Sequence, residues 1–93
     1  MGSVDWSERG EYMSRRHGVS LTMASEALAD QDRVVFDPDP KSATGRSVRT
    51  IGYSPTAGAL ITVITVQHQG TVYGANGWRS NSADQRQYRE ESQ

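Results

Sequence analysis

The sequence predicts an α+β domain: a small antiparallel sheet of about four strands, with two helices before it and one after. Three observations carry this expectation. Helical periodicity is confined to the region before Asp30 and the region after Ser80. Between them, strand-like stretches follow one another with only turns or a loop in between, so neighbours in sequence pair antiparallel. Ala59 to His68 is the most apolar and β-branched stretch of the chain.

Val4 to Arg16 reads as the first helix, with Trp6, Met13 and His17 on a shared face and Gly10 as a weak point. Gly18 is its C-cap, and Arg15 and Arg16 suit the negative end of its dipole. Ser20 N-caps a second helix. Leu21, Ala24 and Leu28 give that helix its buried stripe, with Met23 and Ala27 alongside. Val34-Val35-Phe36 is a short strand. Asp37-Pro38-Asp39-Pro40 ends it, because proline removes a ladder donor and restricts its predecessor.

Lys41 to Gly45 is a loop. Arg46 to Tyr53 is a strand with Val48 and Thr50 on one face and Arg49, Ile51 and Tyr53 on the other. Ser54 to Gly58 is a turn. In Ala59 to His68 the near-continuous run Leu60, Ile61, Val63, Ile64, Val66 calls for a central strand covered on both faces. Gln69-Gly70 turns into the last strand. Asn76-Gly77 reads as a bulge or bend in preference to a hairpin, since only a polar helix follows. Ser82-x-x-Gln85 is a capping box for that helix, and Arg86 with Glu90 is an i,i+4 pair on it.

The 93 residues make one domain spanning 1–93, and the 34% of hydrophobic residues are clustered enough to fold despite a mean hydropathy of -0.70. The chain has no cysteine, which excludes a disulfide scaffold and a thiolate zinc site. The sequence carries no signal peptide and no apolar run of the length a membrane span needs, so a cytoplasmic protein is expected. Met1-Gly2-Ser3 fits a cloning remnant.

A net charge of -1 argues against indiscriminate nucleic-acid binding. The distribution is uneven, however. Asp30, Asp32, Asp37 and Asp39 crowd one stretch, and Lys41, Arg46 and Arg49 follow without an acid. Lys41 is the one lysine among ten basic residues. Arginine suits bidentate phosphate contacts, though a GC-rich genome produces the same bias. The last strand runs straight into a helix bearing Arg79, Arg86, Tyr88 and Arg89. Guanidinium groups and a phenol gathered there make RNA a candidate ligand.

Taken in order, these residues resemble the BrnT-like toxins of bacterial type II toxin–antitoxin modules, within the RelE/ParE-like superfamily. The resemblance rests on Trp6 followed by Arg16-His17-Gly18-Val19-Ser20, on Val34-Val35-Phe36-Asp37-Pro38, on Ile51-Gly52, and on Arg79 followed by Arg86 and Tyr88-Arg89-Glu90. It spans nearly the whole chain. It implies a RelE/BrnT-like fold and a metal-independent endoribonuclease that cleaves mRNA without a cofactor. It also implies a cognate antitoxin and a toxin–antitoxin hetero-oligomer.

In such chemistry the 2′-hydroxyl attacks its neighbouring phosphate. A base takes its proton, cations hold the phosphorane charge and an acid serves the leaving oxygen. By this resemblance the catalytic set is Arg49, Arg79, Arg86 and Tyr88, converging at one end of the sheet, with Arg46, Tyr53 and Arg89 holding RNA. Arg49 is the strongest of these, because an arginine inside a good strand is costly unless its head reaches water or a partner.

Plainer readings stand beside these. Tyr88 packs the helix on the sheet, Arg86 pairs only with Glu90, Arg79 meets solvent, His17 ends a helix and His68 lies on the surface. Asp37 and Asp39 serve the turn, and no metal-ligand spacing is present. Gly52-Tyr53-Ser54-Pro55-Thr56 lacks the closing glycine of a nucleophile elbow, and there is no phosphate-cradling glycine loop. Two features stand off the family pattern: the acidic balance, and Ser47 where the family often carries arginine. They favour the alternative, a non-enzymatic protein-interaction module derived from such a toxin.

Overall fold

A computed structural model describes residues 4–91; the Met1-Gly2-Ser3 stretch lies outside the described residues. The element order is α1 (Gly10–His17), α2 (Leu21–Ala29), β1 (Val34–Phe36), β2 (Ser47–Ser54), β3 (Ala59–His68), β4 (Thr71–Arg79) and α3 (Ser82–Glu91). The strands form one antiparallel sheet in the order β1-β2-β3-β4. The chain is therefore the expected α+β domain. None of its described helices is long and apolar enough to cross a membrane.

The first helix is shorter than the periodicity of Val4 to Arg16 implied. Asp5 lies beside β4, bridged in parallel to Tyr73: its N–H donates to the Val72 carbonyl (2.8 Å) and its carbonyl accepts from the Gly74 N–H (2.8 Å). The Asp5 carboxylate accepts from the Ser7 N–H (2.8 Å), a local bond that competes with helix. Trp6 consequently precedes α1 and packs on the core from a turn. Its ring occupies the space a Cβ at Gly74 would need. Gly18 ends α1 in the left-handed region (φ 70°), and the Ser20 hydroxyl accepts from the Met23 N–H (3.2 Å) to start α2.

Met13, Val19, Ala24, Ala27, Ile61 and Val63 form the core between α1/α2 and one face of the sheet. Two glycines permit this close approach. A Cβ at Gly52 would collide with the Ala27 carbonyl, and one at Gly77 would press on the Met13 sulfur (2.8 Å). Leu21 does not belong to the core as expected. It is 48% exposed and its end lies against Gly10, so α2 is buried through two of its alanines, Ala24 and Ala27.

Strand β3 lies between β2 and β4, as its apolarity required. The β3–β4 turn has both central residues at positive φ (Gln69 52°, Gly70 82°), the geometry that matches strand twist. Strand β4 runs on through Asn76-Gly77. The register passes from Ile64↔Asn76 to Thr65↔Gly74, which leaves Ala75 as the extra residue of a bulge one position before the expected site.

The N-cap of α3 is Asn81, one residue earlier than the Ser82 box. Its side-chain oxygen accepts from the Asp84 N–H (2.8 Å), while Gln85 Nε2 donates to the Ser80 carbonyl (2.9 Å). Arg86 and Glu90 are both exposed and form no ion pair among the described residues.

The Gly52 contact gives the first prediction. Gly52→Ala must push α2 off the sheet and should lower stability by roughly 1–3 kcal/mol, read from the urea midpoint. An unchanged midpoint would show that α2 does not sit on β2 this closely.

Candidate functional site

Face parity on β2 decides how the arginines lie. Gly52 meets α2, so Arg49 and Ile51 start from the opposite face. There Arg49 is 8% exposed and caught between two carboxylates. Its Nε donates to Asp39 Oδ1 (3.0 Å) and its NH1 to Asp84 Oδ1 (3.2 Å), while its guanidinium lies 5.7 Å from the centre of the Trp78 ring. Asp84 Oδ2 accepts from the Thr62 hydroxyl (2.8 Å), which shares a hydrogen bond with the Ser80 hydroxyl (2.8 Å). Among the described residues no buried side-chain polar atom lacks a partner.

A second polar tie lies where α2 ends. Asp30 Oδ2 accepts from the Tyr53 N–H (2.7 Å) and from the Tyr88 hydroxyl (2.7 Å), and Oδ1 accepts from the Asp32 N–H (2.9 Å). Burial works against the Asp30 charge. The Tyr88, Tyr53 and Asp32 donors and the Arg33 charge outweigh it and hold the carboxyl below its ordinary value. The Tyr88 phenol is pushed up to about 12 by burial and by the Asp30 carboxylate it serves. Such a phenol is a poor proton donor at neutral pH.

Glu26 makes a third tie, accepting from Ser54 Oγ (2.8 Å), the Thr56 N–H (2.9 Å) and Thr56 Oγ1 (2.7 Å). Glu26, Ala29, Asp30, Tyr53 and Pro55 line a shallow cleft of about 280 Å³. Its carboxylates suit a cation and repel a phosphate.

The expected catalytic set does not converge. Arg49 is engaged by two aspartates in place of solvent or a substrate. Arg79 stands opposite Ile61, a residue of the α1/α2 core, and so starts from the other face of the sheet. Arg86 is exposed on α3, and Tyr88 faces Asp30. Of the residues expected to hold RNA, Arg46 is exposed just before β2, Tyr53 is 44% exposed beside the acidic cleft, and Arg89 is exposed near the end of α3. What the structure does bring together is Tyr53 with Tyr88, through Asp30.

The partners missed in the sequence are Asp39, Asp84 and Asp30. Asp39 does serve the turn, accepting from the Lys41 N–H (3.0 Å), but it also holds Arg49. A signal for Asp84 was available: a carboxylate in the first turn of a helix that must dock on a strand bearing an arginine.

No protein-family model matches this chain, and no curated protein matches it. Among the described residues no group of three or more His, Asp or Glu side chains could hold a metal ion.

Two predictions follow from the buried pair. Arg49→Ala leaves two carboxylates packed together without their cation. Loss of one partner of a buried ion pair costs about 3–5 kcal/mol, and Arg49→Lys should rescue little of it, since one ammonium does not reproduce the fork. A urea midpoint of wild-type value in Arg49→Ala would show that the pair does not hold α3.

The pH dependence has a fixed sign. Burial alone would raise Asp39, but the Lys41 N–H and the Arg49 guanidinium hold it below the ordinary 3.8. Its stabilisation is therefore complete above 3.8 and lost as pH falls through the lowered folded value. Asp30 follows the same rule. Asp30→Asn and Asp39→Asn should each flatten the loss of stability measured between pH 5 and pH 2; a slope equal to wild type would exclude the carboxylates as its source.

Proposed function

We infer that this chain is the toxin half of a type II toxin–antitoxin module, an endoribonuclease of the BrnT-like kind acting on mRNA in the cytoplasm. The observation that carries this reading is architectural. The order ααββββα, with two N-terminal helices on one side of a four-stranded antiparallel sheet and one C-terminal helix after it, is the layout that the sequence resemblance implies. The exposed Arg79 and Arg86 flank the β4–α3 junction, and both belong to the residues that carry the resemblance.

The catalytic set is then narrower than the sequence implied. Of that set of four, Arg79 and Arg86 are exposed to a phosphate, and Arg49 and Tyr88 hold α3 in place. Attack by a 2′-hydroxyl needs charge stabilisation at the phosphorane, which guanidinium groups supply. The cognate antitoxin fits α3 and the β1 edge, where Val35 is 49% exposed.

A second reading is favoured by one specific observation, the capture of Arg49 by Asp39 and Asp84. If no arginine reaches a scissile phosphate, the chain is a non-enzymatic interaction module on the same scaffold.

Induced expression should arrest growth, and co-expression of the adjacent gene should restore it. The purified chain should cleave mRNA in the presence of a chelator. Arg79→Ala and Arg86→Ala should each slow cleavage by on the order of 10²- to 10³-fold, as loss of a transition-state donor does, with an unchanged urea midpoint. Normal growth at high soluble expression, with intact RNA in vitro, would overturn the enzyme and leave the interaction module.

A further inference from the structure

The outer side of α1 carries a row of rings and cations that the core does not require. Met13 is the large side chain that α1 buries. Tyr12, by contrast, is 37% exposed. The Arg9 guanidinium lies 4.2 Å from the centre of the Tyr12 ring, and Arg9 Nε donates to the Ala75 carbonyl of β4 (3.2 Å). The Tyr12 ring meets His17 edge-on at 6.3 Å, and His17 meets Trp78 at 6.1 Å. Three rings thus run in sequence from the outside of α1 to the end of β4.

Arg16 is exposed and lies four positions from Tyr12 within α1, the spacing that puts the two on one side of the helix, and Arg9, just before the helix, reaches the same Tyr12 ring. The helix itself carries Arg15 and Arg16 in its last turn against a single acid, Glu11, in its first.

We propose that Arg9, Tyr12, Arg16, His17 and Trp78 form a strip that holds single-stranded RNA and leads it to Arg79, which starts from the face of the sheet that α1 covers. The strip rests on the reading of RNA as the substrate and says where that RNA lies: across α1, and not over α3. Bases of any kind stack on ring faces and guanidinium planes, while cations track the phosphates. The strip contains no aliphatic side chain. Covering it with the apolar patch of a protein would bury Arg9 and Arg16 without counter-charge, whereas a nucleic-acid backbone supplies that charge.

The full chain, labelled with ¹⁵N, is titrated with a single-stranded oligoribonucleotide of about ten nucleotides, within the usual range of single-strand sites. Every 2′-oxygen is methylated, so the strand cannot be cleaved. Amide shifts should cluster on α1 and around Trp78. Tyr12→Ala should weaken binding by about tenfold, the loss of one stacked base, and Tyr12→Phe should restore it. Arg16→Gln should reduce the salt dependence, log K against log salt, by roughly 0.7, one single-strand phosphate contact. A merely structural role for either residue would leave the salt slope unchanged.

Wild-type affinity in both Tyr12→Ala and Arg16→Gln, with shifts confined to Arg79 and α3, overturns the strip while RNA remains the ligand. No binding by the wild-type chain overturns the strip together with the RNA reading. Shifts on α1 produced by the antitoxin protein, with none from the oligonucleotide, would make the strip a protein-docking face and overturn its assignment to RNA.

Discussion

Arg49 sits in the middle of a strand with almost no access to water, and a guanidinium cannot be left there alone. Its two carboxylate partners come from distant parts of the chain: Asp39 from the loop after β1, and Asp84 from the first turn of α3. Much of the face opposite the apolar core is organised by that demand. Helix α3 has one buried residue, Asp84, so it does not dock by hydrophobic burial as α1 and α2 do. It docks because its first turn carries the charge that Arg49 needs and its Tyr88 reaches Asp30. A buried ion pair of this kind adds little net stability over an apolar equivalent, but it tolerates few alternative arrangements. The position of α3 is set by direction and charge more than by area.

The two faces of the sheet therefore follow different physics. On one, small residues bring backbones close: Ala24 and Ala27 on α2, Gly52 and Gly77 on the strands, with Met13 filling the space between. On the other, a chain of polar contacts runs from Asp39 through Arg49, Asp84 and Thr62 to Ser80, without an unpaired buried group among the described residues. The exposed cations lie outside both systems. This separation is why accessibility, and not mere presence in the sequence, sorts the arginines into those that shape the fold and those that can meet a ligand.

Much of the fold was legible because period and punctuation are local. The alternation in β2, the apolar run of β3, Ser20 as a cap and Gly18 as a stop each act within a few residues. The failures share a cause, which is competition from distant groups. The apolar spacing of Trp6, Met13 and His17 suggested one long helix, but Asp5 finds better backbone partners on β4. Leu21 had the right spacing for the core, and the approach of Ala27 to Gly52 leaves it outside. For the candidate site, the sequence signalled that Arg49 needed a partner and could not say that the partner was internal. Arg79 is instructive in another way: the sequence placed it at the right end of the right strand, and strand parity put it on the other face.

The segment before α1 has a consequence of its own during synthesis. Strand β4 is an outer strand, and its free backbone groups would otherwise be open to any passing chain. Asp5 and Arg9 cover them, Arg9 across 66 positions of sequence. The guard is made before the thing it guards: residues 4–9 leave the ribosome ahead of β4. The cover is therefore already in hand when β4 adds to β3, and it can close on the strand as the sheet is completed.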